Sequence, residues 1–106
     1  MPSIAQLEYL IAVQRTGHFG RAAEACHVAQ PTLSAQIRKA EDELGVRIFD
    51  RRKKPVQATP PGREILEHAQ AVVAAHTRLL SAARDQNRDI EGDLALGVIP
   101  TLAPYV

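Results

Sequence analysis

The chain has 106 residues, 45% hydrophobic and 24% charged, the balance of an ordinary folded chain and enough for one compact domain plus an extended element. One cysteine, Cys26, excludes a disulfide framework or a cysteine-rich zinc site, and no stretch approaches the roughly 20 continuous apolar residues that would span a bilayer. The formal net charge of +1 hides an asymmetry: residues 1–58 hold nine Lys or Arg against six Asp or Glu, whereas residues 59–106 hold four against six. The N-terminal segment Met1-Pro2-Ser3-Ile4-Ala5-Gln6-Leu7-Glu8 has neither the basic nor the apolar region of a secretory signal, so a cytoplasmic location is expected.

In chain order, Ile4, Leu7, Leu10, Ile11 and Gln14 recur at three- and four-residue spacing and predict a helix over about 4–15. Gly17 suits the left-handed position after its end. A short Ala-rich helix is expected over about 20–26, with Ala22 and Ala23 small where two helices cross. His27-Val28-Ala29-Gln30 breaks it, and Pro31 fits the first turn of a third helix, about 31–44, with Leu33, Ile37, Ala40 and Leu44 on its inner face. Residues 46–58 read as a small hairpin: Val46, Ile48 and Phe49, then the charged tip Arg51-Arg52-Lys53-Lys54, then Val56. Thr59 offers a cap for a helix of about 28 residues reaching Arg88. Leu94-Ala95-Leu96-Gly97-Val98-Ile99 then has the pattern of a buried strand.

Three short helices and a basic hairpin describe a mainly α winged helix-turn-helix with a two-stranded wing, followed by a long dimerisation linker helix. The division expected is 1–58 for the winged domain, 59–89 for the linker and dimerisation helix, and 90–106 for a hinge and the first strand of a truncated α/β regulatory domain. With Cys26, Val28, Leu33 and Ile37 packing the angle between the second and third helices, Pro31, Thr32, Ala35, Arg38, Lys39 and Asp42 face outward. A solvated surface is the default for such a face, but this one suits a major groove. Ala35 lets the backbone approach base edges, and Thr32, Ser34 and Gln36 offer hydrogen-bonding groups. Gln30 can pair with adenine, and Arg38 with guanine or a phosphate. Lys39 and the wing residues Arg51, Arg52, Lys53 and Lys54 are expected to hold phosphates, setting register without reading sequence.

The blocks Leu7-Glu8-Tyr9-Leu10, His18-Phe19-Gly20-Arg21-Ala22-Ala23, Gln30-Pro31-Thr32-Leu33-Ser34 and Gln36-Ile37-Arg38-Lys39 resemble the N-terminal domain of LysR-type transcriptional regulators. Glu41-Asp42-Glu43-Leu44-Gly45-Val46, Phe49-Asp50-Arg51 and Thr59-Pro60-Pro61-Gly62 continue the resemblance in order. Cys26-His27-Val28 and Gly97-Val98-Ile99-Pro100-Thr101 are similar to the peroxide-sensing OxyR branch. The resemblance implies that Gln30, Pro31, Thr32, Ser34 and Arg38 face DNA, that Arg51 sits in the wing, and that the full-length protein forms tetramers. Redox cysteines of a peroxide sensor would lie beyond residue 106, and Cys26 reads as a small buried hydrophobe. Two departures stand out. Ala29 occupies a place where relatives usually carry serine, and Ala40 and Ala58 replace common leucines.

The long helix carries two interlocked stripes. Ile65, Ala69, Val72, His76, Leu79 and Ala83 form one; Leu66, Ala69, Val73, His76, Leu80 and Ala83 form the other. At 1.5 Å per residue this helix would measure roughly 42 Å, more than a 58-residue domain can cover, so the excess is expected to pair with a second copy. A homodimer holds two recognition helices at fixed spacing, so the partner is double-stranded DNA with a near-palindromic operator. No cofactor or metal is expected: a site at His76 would need further ligands, and His68 lies on a different face. An enzyme built on Cys26-His27 is disfavoured, since adjacent helical residues rarely face each other. The alternatives are a winged-helix interaction module without operator specificity, and a LysR-type regulator that responds to a small-molecule effector rather than peroxide.

Overall fold

The computed structural model describes the backbone of residues 1–94 and the side chains of residues 1–87. Its elements are α1 (Ile4–Thr16), α2 (Phe19–Ala25), α3 (Gln30–Leu44), β1 (Phe49–Asp50), β2 (Gln57–Ala58) and α4 (Pro60–Leu94). The expected order of elements is the observed one. The expected strand over 94–99 lies, from residue 95 on, outside the described residues. Among the described residues no helix is long and apolar enough to cross a membrane.

Four helix ends have a local cause. Ser3 caps α1 in a reciprocal box, its hydroxyl accepting from the Gln6 N–H (3.1 Å) while Gln6 Oε1 accepts from the Ser3 N–H (2.8 Å). Gly17 (φ 75°) and Gly45 (φ 72°) end α1 and α3 in the left-handed conformation, which costs glycine nothing. Thr59 caps α4, accepting from the Gly62 N–H at 3.0 Å and donating to the Arg47 carbonyl. A Cβ at Gly62 would collide with the Ile48 carbonyl, so only glycine lets α4 start this close to the segment entering β1. α4 passes its expected end at Arg88 because Asp85-Gln86-Asn87-Arg88-Asp89, though polar, contains neither glycine nor proline to break it.

Two units are distinguished, Met1–Val73 and the residues from Ala74 on. The first has one core, in which Leu10, Val13, Ala22, Ala23, Leu33, Ile37, Ala40, Ile48, Phe49 and Leu66 are buried. Two inner faces differ from expectation. On α1 the buried positions are Gln6, Leu10 and Val13, while Gln14 is exposed and bonds Gln70 of α4 at 2.9 Å. On α3 the fourth inward position is Glu41, and Leu44 is 37% exposed. A carboxylate can take that place because Ile48 and Phe49, where the chain enters β1, supply it with backbone donors.

Candidate nucleic-acid interface

α2 and α3 meet across a turn at residues 26–29 that suits a helix-turn-helix. Ala22 and Ala23 are buried at the crossing. The Cys26, His27 and Val28 N–H groups donate to the carbonyls of Ala22 (3.0 Å), Glu24 (3.1 Å) and Ala23 (3.0 Å). His27 adopts φ 59°, a left-handed conformation unusual for a residue with a side chain. Ala29 occupies the N-cap of α3 and provides no side-chain bond, so the missing serine costs the helix one cap.

Leu33, Ile37 and Ala40 anchor α3, and the residues between them fall outward: Gln30, Pro31, Thr32, Ala35, Arg38 and Lys39 are exposed, and Ser34 is half-buried. Gln30 extends back toward α2, where its Oε1 lies 3.3 Å from the position a Cβ would take at Gly20. Gln36 departs from expectation. Its Oε1 accepts from Gln6 Nε2 at 2.7 Å, so its oxygen is committed to α1.

The wing stands beside the start of α3. β1 and β2 pair antiparallel, Phe49 opposite Ala58 and Asp50 opposite Gln57. Its return limb is fastened to the end of α1, where the Val56 N–H donates to the Gly17 carbonyl at 2.9 Å. Of the four basic residues at the tip, Lys53 and Lys54 are exposed. Arg52 is exposed too, but pairs with Asp50 (Nε to Oδ1, 3.1 Å), and this hydrogen-bonded guanidinium holds the Asp50 carboxyl below its usual range. Arg51 is different again: Nη2 donates to Glu41 Oε1 at 3.2 Å, and the guanidinium carbon lies 5.1 Å from the centre of the Phe19 ring. A cleft of about 330 Å³ separates the wing from the helix-turn-helix, lined among others by His18, Gln30, Ser34, Arg51 and Lys54.

Glu41 and Phe19 escaped sequence reasoning as parts of this site. Glu41 carried a signal, a carboxylate four residues after Ile37 on the stripe that otherwise points inward. Phe19 carried none, because only the fold brings α2 against the wing.

The expected dimer residues divide. Leu66 and Ala69 are buried in the chain's own core and Ile65 packs against it, so the core covers these three positions that were expected in the dimer interface. Val72 is 45% exposed, and Val73 and His76 are half-buried. From residue 74 on, Leu79 (63%) and Leu80 (45%) are open to solvent, as is Ala83. Cys26 lies half-buried beside a cleft shared by Ala5, Glu8, Tyr9, Ala12 and Val73, and burial followed by the charge of Glu8 pushes its thiol pKa above the ordinary value. Among the described residues there is no cluster of His, Cys, Asp or Glu that could hold a metal.

The sequence profile of bacterial regulatory helix-turn-helix proteins of the lysR family matches residues 4–63, which comprise this helix-turn-helix, the wing and the start of α4. The chain belongs to the LysR family. It is 44% identical over 104 residues to the DNA-binding transcriptional dual regulator OxyR of Escherichia coli strain K12, covering 98% of this chain and 34% of that protein. It is 45% identical over 104 residues to a hydrogen peroxide-inducible genes activator of Pectobacterium carotovorum, with the same coverages. The chain thus spans about a third of the length of these curated relatives. A full-length OxyR variant from Pseudomonas aeruginosa superposes with a TM-score of 0.75 and 44% identity, over 78% of this chain and 28% of that one. The BenM DNA-binding domain in complex with benA site 1 DNA superposes with a TM-score of 0.76 and 30% identity, over 80% and 96%.

Proposed function

We propose that this chain binds double-stranded DNA as a dimer, reading an inverted-repeat operator, within a regulator that responds to oxidants such as hydrogen peroxide. The observation that carries the reading is the division of labour on α3. Leu33, Ile37 and Ala40 hold the helix in the core, while Pro31, Thr32, Ala35, Arg38 and Lys39 bear no packing and stand beside a basic wing. Arg38 is suited to a bidentate contact with guanine, Ala35 to a thymine methyl, and Thr32 and Ser34 to base edges or phosphates. Lys39, Lys53 and Lys54 supply phosphate contacts, with Arg52 a weaker participant because Asp50 already engages it. The similarity to a domain crystallised on DNA supports this placement, and that to peroxide-responsive activators supports the class of signal.

In this reading residues 1–58 recognise the operator and residues 59–89 pair two copies. Pairing draws on Val72, Val73, His76, Leu79, Leu80 and Ala83, the part of the stripe that the core leaves uncovered. Two copies fixed in this way select half-sites at a set spacing, so the operator is a near-palindrome.

The test is binding of this chain to an inverted-repeat duplex from its own upstream region and to a scrambled duplex, at several salt concentrations. Dimeric binding at least about tenfold tighter to the repeat, weakened by Arg38→Ala and by rising salt, is the expected result. Equal, weak binding to both duplexes overturns the reading in favour of a protein-interaction module.

A further inference from the structure

We infer that Glu41, which faces away from any DNA that α3 would read, is a positioning residue for recognition: it sets the wing against the recognition helix and aims Arg51. The inference deepens the DNA-binding reading and rests on it.

Glu41 is 9% exposed, on the inner side of α3. Its two oxygens do separate jobs. Oε2 accepts from the Ile48 N–H at 2.8 Å and from the Phe49 N–H at 3.2 Å, fixing the chain as it enters β1. Oε1 accepts from Arg51 Nη2 at 3.2 Å, at the first residue beyond β1. One carboxylate therefore joins the recognition helix to the wing through three bonds. Bonds of a charged group to backbone N–H donors are shorter and stronger than neutral ones, so this is a stiff joint.

Arg51 extends the joint to α2. Its guanidinium lies over the Phe19 ring, and Phe19 meets Phe49 edge to face, with centroids 6.4 Å apart and an interplanar angle of 75°. The Arg51 Nε is buried and has no hydrogen-bond partner among the described residues, while the residue lines the cleft between the wing and the start of α3. A guanidinium held on one side by a carboxylate and on one face by a ring keeps a single orientation. Its remaining Nη donors then meet a phosphate or base edge in that cleft in one fixed geometry.

Charge distinguishes this role from ordinary electrostatics. Removing a negative charge close to DNA should strengthen sequence-independent binding, because the phosphate backbone then meets a more positive surface. Removing a positioning group should instead weaken binding to the operator alone. The two effects have opposite signs.

The experiment measures operator and scrambled-duplex affinities for the unchanged chain and for Glu41→Gln, which retains an amide oxygen for the backbone donors but loses the charge facing Arg51. Thermal unfolding of each variant confirms that it is folded. The expected result is a fall of about tenfold in the operator-to-scrambled affinity ratio, with scrambled-duplex affinity equal or higher. Arg51→Lys, which keeps the positive charge and leaves Glu41 its backbone partners, should lower the ratio similarly, and Glu41→Asp, which keeps the carboxylate but withdraws it from Arg51, replaces Glu41→Gln if the latter does not fold. The double variant should be little worse than either single one, because both break the same joint. An operator preference that survives both single variants, or losses that multiply in the double, overturns the positioning role alone. Equal affinities in the unchanged chain overturn the DNA-reading proposal and this one with it.

Discussion

α4 contains the same kind of residue in two different situations. Leu66 is fully buried among the helices of the winged unit, whereas Leu80, on the same repeating pattern, is 45% exposed. The seven-residue stripe is continuous in sequence, yet its first positions complete a core and its later ones remain uncovered. Periodicity shows that a face is apolar, but not what covers it. The first stretch is committed by neighbours that sequence spacing does not reveal: Ile48, whose carbonyl crowds Gly62, and Gln14, whose side chain bonds Gln70.

The contrast can be broken most severely at its buried end. Leu66→Ala should destabilise the winged unit by about 2–5 kcal/mol, the usual cost of emptying a fully buried leucine site, as read by chemical denaturation. The paired change Leu79→Glu with Leu80→Glu should leave that unfolding transition within about 0.5 kcal/mol, as exposed substitutions do. It should nonetheless convert the dimer to monomer in sedimentation and abolish operator preference. Dimers that persist would place the pairing surface elsewhere. A third change addresses the helix-turn-helix: Ala29→Ser should add a cap to α3 and stabilise the chain by about 0.5–2 kcal/mol in the same denaturation assay.

The smallest effect concerns Cys26. Its pKa is raised in the folded chain, so the folded state holds its proton more tightly than the unfolded state does. The corresponding stability is complete below the unfolded thiol pKa, near the ordinary value of 9.0, and declines as pH rises from there through the folded value. Alkylation by iodoacetamide at neutral pH should accordingly run slower in the folded chain than in urea. Equal rates would mean that neither burial nor Glu8 governs this thiol.

Much of the fold was legible because its punctuation is local. Gly17, Gly45, Pro31 and Thr59 each mark a boundary through their own backbone chemistry, and the outward set on α3 followed from the position of Leu33 and Ile37. What escaped depends on pairs distant in sequence. Gln36 looked free until Gln6, thirty residues earlier, claimed its amide oxygen. Leu44 looked buried, because an apolar residue at the end of a stripe ordinarily is, but Glu41 and its donors at Ile48 and Phe49 took the inner position. Arg51 read as one of four basic residues expected to hold phosphates, although of the four only it meets both a ring and a buried carboxylate.

The separation of duties on α3 also bears on how such a protein can change. Pro31, Thr32, Ala35 and Arg38 contribute nothing to the buried core, so exchanging them should cost little stability, and surface positions of this kind typically shift it by less than about 0.5 kcal/mol. On the proposed DNA-reading role of these residues, new operator preferences are within reach of a few substitutions, none of which endangers folding. The scaffold can be inherited unchanged while its vocabulary drifts, so lineages that share this architecture are free to address unrelated promoters.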